Sequence, residues 1–162
     1  MSIRRYYLRK HRKVVLLVFL LLSIAILFLL INAISSFFST ERKVEQVVER
    51  FYEYESNGDF SNSWELFHSS MKNRFDKSDY MQDRAHVFFH HFGVNTFDFW
   101  LTEPTKVKSE QIQVDYLDNQ PIYRLVVTYV YQSKYGYLEI KQPVLVVEEE
   151  NEWRILWEYE KD

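Results

Sequence analysis

Residues 14–34 read V-V-L-L-V-F-L-L-L-S-I-A-I-L-F-L-L-I-N-A-I, twenty-one residues with no charge and only Ser23 and Asn32 as polar interruptions. Coiled as a helix, the run from Val14 to Ile34 is about 31 Å long at ~1.5 Å per residue, close to the hydrocarbon thickness of a bilayer. A helix buried inside a protein of 162 residues normally keeps a polar face, and this one has none. The stretch is therefore expected to span a membrane, with the lipid bilayer as its first partner.

What flanks the span sets its direction. Residues 1–13 form a basic stub with Arg4, Arg5, Arg9, Lys10, Arg12 and Lys13 and no acid. The other flank, 35–43, holds only Arg42 and Lys43, beside Glu41. The excess of positive charge before the span predicts a cytosolic N-terminus and a chain that leaves the bilayer at Ile34. A cleaved signal peptide begins with the same basic region, but its apolar core runs about 7–15 residues before a small-x-small site. Here the run is longer, and Ile31-Asn32-Ala33 places a bulky residue where a small one is needed. A retained single-pass anchor is the expectation.

The net charge of −3 hides an asymmetry. Residues 35–162 carry fourteen Lys/Arg against all 23 Asp/Glu, a net of −9. An acidic domain of this kind is unsuited to nucleic acid. The chain has no cysteine, so disulfide and thiol chemistry are excluded. With only three glycines, and no Gly-rich phosphate motif or nucleophile elbow, no cofactor is expected. After a connector at 35–40, residues 41–162 suffice for one domain.

Within that domain the hydrophobic period is first helical. Val44, Val47, Val48, Phe51 and Tyr52 recur at i, i+3, i+4, i+7 and i+8, predicting a helix over about 41–56 with Thr40 as N-cap and Gly58 beyond its end. Phe60, Trp64, Phe67, Met71 and Phe75 predict a second helix, with Asn62 and Glu65 as a capping pair. Met81, Ala85, Phe88 and Phe92 predict a third, capped by Ser78 and closed by Gly93.

After Gly93 the period becomes two. Phe97, Phe99 and Leu101 alternate with polar residues before Pro104, and Ile112, Val114 and Tyr116 do the same. Ile122–Gln132 and Tyr137–Glu148 read as strands joined at Lys134-Tyr135-Gly136, with Pro143 marking a bulge or an edge. Glu149–Glu152 turns into a last strand bearing Trp153, Ile155, Trp157 and Tyr159. Helices followed by antiparallel strands predict an α+β domain with the helices on one face of a curved sheet.

The strand 122–132 is apolar on both sides. Tyr123, Leu125, Val127, Tyr129 and Tyr131 form one set, expected to face the helices. Ile122, Val126 and Val130 form the other, spaced by Arg124, Thr128 and Gln132. A face with one solvated side alternates cleanly, so this second set needs cover. No further helix remains in the chain, so Ile122, Val126 and Val130 are the expected interface, whether for self-association or for an envelope protein.

The order of helix, Asn57-Gly58-Asp59-Phe60 turn, Trp64-Glu65-Leu66-Phe67 helix, third helix, meander and closing Trp153–Trp157 strand resembles the nuclear transport factor two-like superfamily. More narrowly, it is similar to membrane-anchored versions in Gram-positive bacteria. These include the amino-terminal domain of resistance-type penicillin-binding proteins and domains of plasmid-conjugation channel proteins. The resemblance covers 41–162 and implies a cone of about three helices on one curved, mostly antiparallel sheet. It departs at Asp76–Ser78, too short for the hairpin that many such cones place between the second and third helices. The implied role is non-enzymatic: an extracytoplasmic domain that binds or positions cell-envelope partners. The superfamily also includes ketosteroid isomerase and scytalone dehydratase, so the alternative is a tethered small-molecule-binding or acid–base catalytic cone. No catalytic motif of the family matches here by position.

Two constellations carry chemistry in principle. His86 and His90 stand one helical turn apart with Asp83 at i−3, a spacing able to face one metal ion. Against that, His90 and His91 also suit the last turn of a helix, where they meet free carbonyls. Asp98, Asp115 and Glu139 lie on strands among tyrosines, the ingredients of a carboxylate–phenol site, but alternation assigns Asp98 and Asp115 to solvent-side positions. No catalytic residue and no metal site is therefore expected. An interior filled by Trp64, Phe88 and Trp157 favours the binding module, and a polar-lined cavity favours the catalytic one.

Overall fold

Helix α1 covers Ile3–Ser56 in a computed structural model that describes residues 3–109, 112 and 120–158. The chain divides into two compact units, Met1–Thr40 and Glu41–Asp162. In the first unit, the segment Val15–Asn32 has a mean hydropathy of 3.1 and none of it is buried, so it is long and apolar enough to cross a membrane. Its two polar side chains bond to their own helix. Ser23 Oγ donates to the Leu20 carbonyl at 2.8 Å, and Asn32 Nδ2 donates to that of Phe28 at 2.9 Å. Neither needs water, which suits a hydrocarbon surround. The side chains of Arg4, Arg5, Arg9, Lys10, Arg12, Lys13 and Val14 lie outside the described ones. Residues 35–40, expected as a connector with Thr40 as a cap, are helical throughout.

In the second unit the stripe Val44, Val47, Val48, Phe51, Tyr52 is buried as its spacing requires. The helix ends on Asn57 and Gly58, whose φ of 73° lies in the left-handed region. The predicted second helix is broken in two. α2 (Phe60–Glu65) is capped by Asp59, whose carboxylate accepts from the Asn62 N–H at 3.3 Å, replacing the Asn62–Glu65 box. α3 (Ser69–Arg74) follows after Phe67. Between them Phe67 pairs in parallel with Ile155: the His68 N–H donates to the Ile155 carbonyl at 3.0 Å, and the Ile155 N–H to that of Leu66 at 3.0 Å. The edge of the sheet takes these backbone groups out of the helix, while Phe67 itself stays fully buried.

α4 (Lys77–Ala85) is capped by Asp76, which accepts from the Ser78 N–H at 2.9 Å, so Ser78 is the second residue of the helix and not its cap. It passes into a π-helical turn, His86–Phe92, that closes on left-handed Gly93. Its buried stripe is Tyr80, Arg84 and Phe88; Met81, predicted inside, is exposed.

Among the described residues the sheet has five antiparallel strands: β1 (Asp98–Leu101), β2 (Thr105–Val107), β3 (Ile122–Ser133), β4 (Gly136–Glu149) and β5 (Glu152–Trp157). β1 and β2 share one edge of β3, and β3-β4-β5 run in order. Between them, Thr102 keeps contact by bonding both ways to the Val126 backbone. β3 and β4 pair without a bulge from Ile122↔Val147 to Ser133↔Gly136. The β4–β5 hairpin turns on Glu150 and Asn151, both at positive φ, which matches the twist of the strands.

Pro143 occupies an edge, as one of its two expected positions. Val126 bonds to Thr102 on the far side, so the Val126–Pro143 pair carries no hydrogen bond, and the proline nitrogen points away from β3. On that side β5 has already ended, at Trp157↔Val144. Of the strand expected around Ile112, Val114 and Tyr116 lie outside the described residues, and Ile112 is a buried turn residue.

Candidate functional site

The helix-facing side of the sheet is packed with rings. Tyr131 stacks on Phe92 at 5.3 Å and meets Phe88 and Phe97 at 5.5 Å each. Trp157 stands edge-on to Phe67 at 5.0 Å and to Phe51 at 6.2 Å. Of the three residues expected to fill this interior, Phe88 is buried and Trp157 is half-buried within it. Trp64 is peripheral: its Nε1 donates to the Phe75 carbonyl at 2.9 Å, and Lys72 and Lys77 lie over its ring.

The one wholly buried carboxylate in this interior among the described residues is that of Glu55. Its Oε1 accepts from Ser63 Oγ at 2.5 Å and from the Tyr80 hydroxyl at 2.7 Å. Its Oε2 accepts from Arg84 Nε at 2.6 Å and forms an ion pair with the same guanidinium. The Glu55 side chain is wholly buried and that of Arg84 is 19% exposed. Arg84 also lies 4.4 Å from the Phe88 ring centroid and 5.6 Å from that of Trp157. Burial on its own pulls the guanidinium down, but Glu55 and the phenols around it outweigh that and hold it above its ordinary range. Burial, with Glu55 beside it, pushes the Tyr80 hydroxyl well up. Both carboxylate oxygens are thus saturated by donors, and the nearest phenol does not ionise near neutrality.

A second polar set lies against the sheet. The Tyr52 and Tyr129 hydroxyls both donate to Gln142 Oε1, at 3.1 and 3.2 Å. Burial raises Tyr52, Tyr129 and Tyr131 alike. Trp157 Nε1 is buried with no hydrogen-bond partner among the described residues.

Sequence reasoning missed Glu55, Tyr80 and Arg84. A signal for Glu55 was present: the stripe at 44, 47/48 and 51/52 continues to 55, so an acid occupies the next apolar position. Tyr80 and Arg84 were hidden because Met81 and Ala85, one residue on, offered an equally regular face.

The predicted candidates lie elsewhere. His86, His90 and His91 form a surface cluster, with His86 5.4 Å from His90 and 4.8 Å, edge to face, from His91. The π turn brings residues five apart together, which a regular α-helix does not. Among the described residues no three His, Asp or Glu groups are placed to hold a metal ion, and Asp83 is exposed. Asp98 and Glu139 are exposed on the face turned away from the rings, Glu139 pairing with Lys141 at 3.2 Å. Asp115 lies outside the described residues.

Tyr123, Leu125, Val127, Tyr129 and Tyr131 face the helices and are all buried, as expected. The opposite set is mixed. Ile122 is fully buried and offers no surface, so it is removed from the expected interface. Its cross-strand neighbours on that face, Val147 and Leu145, are at 0%, and Leu156 is at 1%. Val126 and Val130 are half-buried, and the exposed Trp100 and Tyr137 share their side of the sheet. The chain matches no protein-family model and shows no match to a curated protein.

Proposed function

We propose that this chain is a single-pass membrane protein with a cytosolic N-terminus and an extracytoplasmic domain that binds or positions cell-envelope proteins without catalysing a reaction. Residues 41–162 form a nuclear transport factor two-like cone, with α2, α3 and α4 closing over the sheet. The basic stub, the apolar helix and the acidic domain support the placement and the orientation.

The observation that carries the non-enzymatic reading is Glu55. A catalytic carboxylate needs a lone pair or a proton for its substrate, and here Ser63, Tyr80 and Arg84 take up both oxygens. The group holds α1, α2 and α4 together, the role of a structural ion pair. Partner capture falls to the outer face around Val126, Val130, Trp100 and Tyr137, where apolar side chains remain in water.

A photo-crosslinking residue at position 100 or 130 of the full chain, expressed in its native membrane, tests this. Adducts to an envelope protein or to a second copy are expected from both positions, and none from position 106. Equal labelling from all three, or none from 100 and 130 in a folded protein, overturns the interface.

A further inference from the structure

A groove of about 380 Å³ runs along the other side of α1, lined by Lys43, Gln46 and Arg50 from the helix and by Glu148, Trp153 and Arg154 from the β4–β5 hairpin. Lys43, Gln46 and Arg50 recur at i, i+3 and i+7, so one helix face presents all three. Arg154 is already engaged, donating to the Glu65 carbonyl at 2.9 Å and pairing with Glu152. Lys43 and Arg50 have no such partner among the described residues. Glu152 also lines the groove but is paired with Arg154, so Lys43 and Arg50 against Glu148 leave it with a single excess positive charge in a domain whose net charge is −9. Val47, Leu66 and Trp153 give the same groove an apolar lining.

We infer that this groove takes the phosphate of an acidic phospholipid headgroup, with Lys43 and Arg50 on the phosphate and Val47, Leu66 and Trp153 against the glycerol and upper chain. Charge selects an anion, and the apolar lining selects an amphipathic one. Eight residues separate Ile34 from Lys43, so the groove's first cation follows the apolar segment closely in the chain. The inference rests on the membrane anchor proposed above.

The test is hydrogen exchange on the full chain in nanodiscs, with zwitterionic lipid alone or with phosphatidylglycerol admixed. Amides of the hairpin turn, 149–152, are expected to exchange about fivefold more slowly in the anionic discs. Lys43→Gln with Arg50→Gln abolishes the difference, Glu148→Gln enlarges it, and Arg42→Gln, next to the groove but outside its lining, leaves it unchanged. Equal exchange in both discs overturns the inference, as does an Arg42→Gln effect equal to that of Lys43→Gln. Protection by inorganic phosphate in zwitterionic discs overturns the lipid source and assigns the groove to a free oxyanion. A chain that does not co-elute with the discs refutes the anchor itself, an outcome distinct from an anchored chain with an idle groove.

Discussion

The two faces of the β3–β4 hairpin differ less than one sheet with a single helical layer implies. On the helix side, aromatic rings and Leu125, Val127, Val144 and Val146 are buried along the whole length. On the other side, Ile122, Leu145, Val147 and Leu156 are just as deeply buried at one end. Only toward the hairpin turn does that side open, to Val130, Trp100 and Tyr137. The lesson is that a strand apolar on both sides can be core at one end and surface at the other. Ile112, from the segment before β3, is itself buried, and the Arg124–Glu158 pair at 2.8 Å lies on the same face. Ile122, Leu145, Val147 and Leu156 expose no surface, so on this face only the other end has apolar surface to offer a partner.

The largest effect belongs to the helix side. Glu55→Ala strands Arg84 and leaves Ser63 and Tyr80 without an acceptor; it should cost about 3 kcal/mol, the low end for breaking a buried pair because Arg84 keeps some solvent. Chemical denaturation measures it. Glu139→Ala, an exposed carboxylate, is the matched control and should change little. If both are neutral, the helix side is not organised around Glu55.

Leu145→Ala decides whether the buried end of the outer face is core. Its cost should be about 2–4 kcal/mol, matching Leu125→Ala on the opposite side. A loss below about 1 kcal/mol would return that end to the surface and restore Ile122 to the interface.

A smaller effect is expected from pH. His68 is buried and its Nδ1 accepts from the Ser70 N–H at 3.2 Å, while Nε2 lies 3.3 Å from Glu149. Burial lowers its pKa from the ordinary 6.5, opposed in part by Glu149. The unfolded chain therefore takes up the proton first. Stability is fully present above 6.5 and falls as pH drops from there through the depressed folded value. Glu149, also held low, loses its contribution only as pH falls below 4.5. His68→Asn keeps a capping acceptor and should flatten the melting profile as pH falls below the ordinary histidine value of 6.5.

The smallest effect on folding should come from Val130→Lys, within about 0.5 kcal/mol of the parent. The same substitution should abolish crosslinking at position 100, and that pairing of outcomes separates surface from core most directly.

Where one reading satisfied local and tertiary demands together, the fold was legible. The stripe of α1, the hairpin at 133–136 and the edge at Pro143 are cases in point. Phe67 was misread because it fits the helical period of 60–75 and yet sits in the sheet; only Ile155, far along the chain, decides between the two. The π turn was invisible because an i, i+5 ladder leaves no distinct apolar period. Ile122 was misassigned to the surface because both sides of its strand are apolar, and only Leu145, Val147 and Leu156, far along the chain, mark its end as buried.

Pro143 has a consequence for the protein's life at high local concentration. Gly136–Gln142 of β4 extend beyond the end of β5, a seven-residue margin whose outward amides and carbonyls meet no strand among the described residues. Molecules held in a plane meet each other's margins far more often than molecules in bulk. An intruding strand that tried to displace the end of β5 would meet residue 143, where no amide hydrogen exists to receive it. Lys141 and Glu139 place charge along the same margin. Charge and proline together blunt this edge against the growth of one molecule's sheet into the next.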